Sequence, residues 1–208
     1  MLASVSSFSY LIPVGIGLLL YSRLPEILRL ILLVVIINGM VDNVSFLLHK
    51  ISINNSLLLN LYVVFPYVLI FTYPFYKSLK SSFAKTMIFI SFIVTVLVNL
   101  YLVTQLNIFE KFNGLAFAFA GVHLIFVNLI YLFYTAVKSE EIGFKQHPLF
   151  FISAGILIYQ AFVCVLTAFI NELEPNTISY LWKFRSIFYI LLNILISFVF
   201  WRYARIRK

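Results

Sequence analysis

Asp42 is the one acidic side chain inside a long apolar run, the segment Val34 to Lys50, VVIINGMVDNVSFLLHK. In hydrocarbon a lone charge costs about 2.5–3.5 kcal/mol on insertion scales, so such a carboxylate faces the interior of a helix bundle and has partners there. On a helix, Asn38, Asp42, Ser45 and His49 recur at i, i+4, i+7 and i+11, which is a single stripe. The chemistry open to that stripe is capture of a polar ligand or passage of a proton. Either use requires the stripe to face protein.

Candidate partners for Asp42 come from other apolar runs. Arg185 lies about seven residues from one end of its run and Asp42 about six from the matching end of its own, which places both roughly 10 Å deep at 1.5 Å per residue. Two arrangements are open. Asp42 and Arg185 form a charge-assisted bridge between spans two and seven, or Arg185 and Lys183 snorkel to the headgroups while Asp42 bonds to Asn and Tyr. His123 stands mid-way along its run, as the titrating member of a proton relay or as a packed, hydrogen-bonded side chain. Polar stripes recur elsewhere: Ser153, Gln160, Cys164, Thr167 and Asn171; Ser91, Thr95 and Asn99; and Arg185 or Ser186 followed by Tyr189, Asn193 and Ser197. These stripes are interhelical glue, or they line a water-filled cavity open to the outside, with Asp42, Asn43, Asn99, His123, Gln160 and Arg185 as the ligand or proton pathway.

The elements that must hold these residues follow from composition. With 63% apolar residues, 11% charged residues and a mean hydropathy of +1.05, the chain lacks the charge to coat a soluble globule. The fold class expected is all-α, one polytopic membrane domain over residues 1–208 with seven transmembrane helices near 4–22, 27–48, 56–77, 85–105, 113–137, 148–170 and 178–201. In the first span Pro13 is expected to kink the helix, and Pro25 fits the first turn of the second. With the N-terminus outside and the C-terminus inside, eleven of the fifteen Lys and Arg residues fall on the inner side, and Lys50, Lys111, Lys183 and Arg185 fall on the outer. The basic excess therefore reads as topology in a cell (inner) membrane, not as a nucleic-acid surface. Arg202, Arg205, Arg207 and Lys208 form a tail suited to anionic lipid or a cytoplasmic partner. Gly114, Ala118 and Gly121 make one small-residue face of the fifth span, and Ala116 with Ala120 another, as a central, closely packed helix requires.

Several chemistries fail on residue order. Neither GxSxG nor HExxH occurs, and Cys164 is the sole cysteine, so a serine hydrolase elbow, a zincin site and a disulfide or thiolate metal site are excluded. Phe119 and His123 match FxxxH, but Glu140 and Glu141 follow it in the loop SEEIGF, the wrong order for an intramembrane CAAX-type protease. Haem lacks a second histidine at the depth of His123, because His49 and His147 sit near opposite span ends. Lys183 is too close to a span end for a retinal Schiff base, and the first and fifth spans share no features of a parallel sugar-carrier repeat. The expectation is a non-enzyme with no cofactor and no metal.

From Asn60 to Tyr76, NLYVVFPYVLIFTYPFY, and from His147 to Tyr159, HPLFFISAGILIY, followed by a last span with a basic tail, the chain resembles small seven-span membrane proteins common in Bacteroidetes. Some of those are encoded beside sensor kinases. In their pattern an acid stands four residues after the tyrosine of span three, whereas here Tyr62 is followed by Pro66. Three functions are expected to compete. The first is a receptor-like or partner-coupling module whose outward-facing pocket takes a small ligand. The second is a small-solute or proton-coupled transporter, and the third a helical subunit of a larger membrane complex.

Overall fold

A computed structural model describes residues 2–105, 112–138 and 147–206. Lys111, Glu140, Glu141, Lys145, Arg207 and Lys208 lie outside the described residues. Within them the regular elements are helices: α1 (Leu2–Phe8), α2 (Leu11–Leu19), α3 (Glu26–Lys50), α4 (Ser56–Val64), α5 (Pro66–Ser78), α6 (Ser82–Thr104), α7 (Gly114–Lys138), α8 (Pro148–Ala168) and α9 (Pro175–Ile206), with a 3-10 turn over Tyr21–Arg23. Six segments are long and apolar enough to cross a bilayer: α3, α4 with α5, α6, α7, α8 and α9. Each agrees with an expected span to within a few residues, except that α9, at about 48 Å for its 32 residues, extends past both ends of span 178–201.

The first expected span, 4–22, is shorter, an apolar helix over Val5–Leu19 interrupted at Ser9 and Tyr10. Pro13 explains the interruption one turn upstream. It has no N–H for the Ser9 carbonyl, and its ring crowds that carbonyl. The Ile12 N–H takes the carbonyl instead at 3.2 Å, while Ser9 Oγ donates to the Ser6 carbonyl at 2.7 Å. Pro66 breaks the third span in the same way, separating α4 from α5 at Phe65.

The tightest pairing is α7 on α8. Gly114 sits against the Thr167 carbonyl and Gly121 against Cys164 Sγ, places where a Cβ would collide. The other small face, Ala116 and Ala120, is fully buried in a cluster with Tyr62, Val63, Tyr67 and Leu124. A second cluster runs from Tyr159, Val163 and Tyr189 through Ile196, Val199 and Phe200 to Leu24, Leu79, Leu149 and Ala204. It fills the end of the bundle where α3 begins and α9 finishes. The seam between the two clusters, toward the opposite end, holds the polar residues.

Candidate functional site: a cavity between Asp42 and Arg185

Pro66 and the α3 stripe set up the site. The break at Phe65 turns Tyr62 and Tyr67, on either side of it, inward toward α3 and α8. Between them lies a hollow of about 60 Å³, ringed by Asn38 and Asp42 from α3, Tyr159 and Gln160 from α8, and Arg185 and Tyr189 from α9. One water needs about 10–15 Å³ of such space, so the hollow has room for a few waters or a small polar group. Beside it a wider vestibule of about 430 Å³ is lined by Ser6, Ser7, Ser45, His49 and Asn55 on its polar side and by Phe46, Phe112, Phe117 and Trp182 on its aromatic side. Asp42, Arg185, Tyr189, Leu59, Phe117 and Val163 border both spaces. The stripe Asn38, Asp42, Ser45 and His49 therefore runs down one wall, from vestibule to hollow.

The two opposite charges share this space without touching. Among the described residues the only ion pair within 4.0 Å joins Lys77 to Glu26, at the far ends of α5 and α3. Neutral groups hold the cavity charges instead. Asn38 Nδ2 donates to Asp42 Oδ2 at 3.4 Å and to the Tyr189 hydroxyl at 3.1 Å, and Tyr62 donates to Asn38 Oδ1 at 3.3 Å. Tyr189 and Asp42, and Tyr159 and Arg185, line the same hollow. The guanidinium carbon of Arg185 lies 4.6 Å from the Trp182 ring centroid and 6.0 Å from that of Tyr189. The contact bridge open at the level of sequence is replaced by this arrangement, in which Asn38 donates to the carboxylate and the indole seats the guanidinium. Arg185 borders the cavity; it does not snorkel away from it. Gln160 Nε2 completes the ring with a bond of 2.6 Å to the Tyr67 hydroxyl.

Three of the six candidate pathway residues come together here, Asp42, Gln160 and Arg185, and three lie elsewhere. Asn43, one position round α3 from Asp42, turns toward α1 and donates to the carbonyls of Gly39 at 2.9 Å and Ser7 at 3.2 Å. Asn99 on α6 is fully buried and donates to the Val63 carbonyl at 3.2 Å. That carbonyl lies at the Pro66 break, so Asn99 braces the broken helix. His123 faces away from the cavity, toward α5 and α6: Nε2 lies 2.8 Å from Thr72 Oγ1 and Nδ1 2.6 Å from Ser91 Oγ. Both ring nitrogens are thereby occupied, and the nearest partners are hydroxyls rather than an acid.

Sequence reasoning missed Tyr62, Tyr67 and Tyr159 as cavity residues. The available signal was level, since Tyr62 and Tyr159 lie at about Asp42's distance from a helix end, but in a chain with 13 tyrosines that level alone selects nothing. On the opposite face, Arg202 stacks over Phe151 at 5.3 Å and Arg205 over Trp201 at 3.9 Å, which leaves this part of the basic tail beside aromatic rings at the end of α9. Among the described residues no group of three His, Cys, Asp or Glu side chains converges as a metal site would. Comparison with family models, with curated proteins and with solved structures gives no match to this chain.

Proposed function

We propose that this chain is a seven-span, receptor-like or partner-coupling module of the cell (inner) membrane, with its N-terminus outside and its C-terminus inside. The vestibule admits a small polar ligand from outside, the Asp42 and Arg185 cavity holds it, and the basic inner loops with Arg202 and Arg205 meet a cytoplasmic signalling protein or a membrane partner. The observation that carries this reading is that the cavity is blind. Polar lining stops at Asn38, Gln160 and Tyr189, and below it Ile196, Val199, Phe200, Leu28 and Leu32 are packed apolar side chains. A pocket with one mouth suits binding, whereas transport needs a second arrangement that opens the apolar plug.

The seventh span is supplied by α1 and α2, which follow the length of the bundle: Ser7 bonds to Asn43, Ser9 Oγ accepts from Asn193 at 2.8 Å, and Gly17 sits against Leu32 and Phe200. The likeness to small seven-span proteins of Bacteroidetes, some encoded beside sensor kinases, agrees with an inner partner. The test is paired. Cysteines placed at His49 and at Lys80, in a Cys164→Ala background, are challenged with a membrane-impermeant maleimide in intact cells, and purified protein in vesicles is assayed for proton and solute flux. The expected result is labelling at 49 alone and silent vesicles. Labelling at 80 alone, or protein-dependent flux, contradicts the proposal.

A further inference from the structure

We infer that the cavity is built for a small zwitterion, a molecule carrying one ammonium and one carboxylate on an apolar or aromatic body, with the ammonium at Asp42 and the carboxylate at Arg185. This inference rests on the pocket reading above and specifies its ligand. Asp42 and Arg185 are the charged side chains that border both the hollow and the vestibule, and together they are neutral. A ligand of single charge satisfies one of them and leaves the site charged in apolar surroundings. A ligand with both signs satisfies both and leaves it neutral, which is the cheaper outcome at low dielectric.

Each charge also keeps unused capacity. The guanidinium offers five N–H donors in a planar fork that matches a carboxylate, and its contact with the Trp182 ring takes up none of those donors. Asp42 accepts from Asn38 over a long 3.4 Å, leaving acceptor positions for an ammonium. Had the two side chains closed on each other, that capacity would be spent. They instead border a hollow that stays open between them.

Volume sets the rest of the ligand. The hollow of about 60 Å³ takes only a headgroup, so the body must lie in the vestibule of about 430 Å³, against Phe46, Phe112, Phe117 and Trp182. Aromatic walls bury an apolar body and reward a ring further by edge or offset stacking. Trp182 also makes a reporter, since it borders the vestibule beside Arg185.

The experiment is a fluorescence titration of the full chain in nanodiscs, with Trp201→Phe so that Trp182 alone reports. The probes are L-phenylalanine and L-leucine, the cation L-phenylalaninamide, and the anion 3-phenylpropionate. Expected are saturable changes with both amino acids, each at least about tenfold tighter than either singly charged probe, the ratio for losing one charge-assisted contact. Asp42→Asn should erase the preference of L-phenylalanine over 3-phenylpropionate, and Arg185→Gln its preference over the amide. If either singly charged probe binds as tightly as L-phenylalanine, or no amino acid gives a saturable change, the inference is overturned; the unmodified binding site decides this even if a variant fails to fold. A cysteine at Leu59, on the border of both spaces, separates this failure from that of the pocket itself. Labelling there without zwitterion preference overturns only the ligand class, while a protected Leu59 cysteine removes the pocket as well.

Discussion

Two polar clusters, one around His123 of α7 and one between Asp42 of α3 and Arg185 of α9, are finished differently. Around His123 the imidazole has a hydroxyl on each nitrogen, Thr72 and Ser91, and neither the hollow nor the vestibule is lined by any of the three. Around Asp42 and Arg185 two ionisable side chains of opposite sign meet an amide and an indole face and border open space. A membrane protein that needs glue saturates its polar groups locally, as the histidine clasp does. Holding two opposite charges apart beside a hollow is costlier than letting them pair, and it makes sense where a third molecule completes the bonds.

That contrast predicts unequal responses to mutation. The largest effect is expected from reversing one cavity charge. Arg185→Asp places two carboxylates around one hollow and should cost about 3–5 kcal/mol, seen as loss of monodisperse protein on size exclusion. The double swap Asp42→Arg with Arg185→Asp should recover most of it, because Tyr159 and Tyr189 can donate or accept. A double variant no better than the poorer single one would show that the charges do not share the space.

Next comes the wall both clusters lean on. Gly121→Leu must displace Cys164 and Gln160, whose Oε1 would lie 3.2 Å from the new Cβ. Overpacking of this kind costs about 1–3 kcal/mol, and it should also perturb any Trp182 response by moving Gln160 off Tyr67. Thermal unfolding in detergent measures the first, fluorescence the second.

In the clasp, His123→Phe should cost about 1 kcal/mol, two interhelical bonds at roughly 0.6 kcal/mol each, and leave ligand titrations unchanged. A shift in Trp182 titration with that variant would join the two clusters that are separated here. The smallest stability effect belongs to Asp42→Asn, which keeps shape and hydrogen bonding and should change stability by under about 1 kcal/mol while abolishing discrimination between charged probes.

Part of this was legible in the chain. The stripe from Asn38 to His49 needed only helical periodicity, and the level of Arg185 and Gln160 needed only counting from helix ends. The six long apolar helices followed from composition and length. Direction around the helix axis was not legible where several faces carry polar residues. Asn43 lies about 100° from Asp42 and so reaches α1. Asn99 and His123 have the depth of the cavity but the azimuth of other contacts. The α4–α5 break was written in Pro66, yet its consequence, turning Tyr62 and Tyr67 toward Asp42, depends on where α8 and α9 lie. Pro13 likewise announced a kink without saying that it would fall at Ser9, where Asn193 meets it.

The central claim is a wet, one-ended cavity between Asp42 and Arg185, and cysteine accessibility tests it most directly. In the Cys164→Ala background, Leu59→Cys at the cavity border and Ile196→Cys in the apolar plug, one turn below the lining residue Leu192, are each exposed to a small membrane-impermeant thiol reagent in intact cells. The claim predicts prompt modification at 59, slowed by added L-phenylalanine, and none at 196. Equal reactivity at both positions, or a protected cysteine at 59, would contradict it.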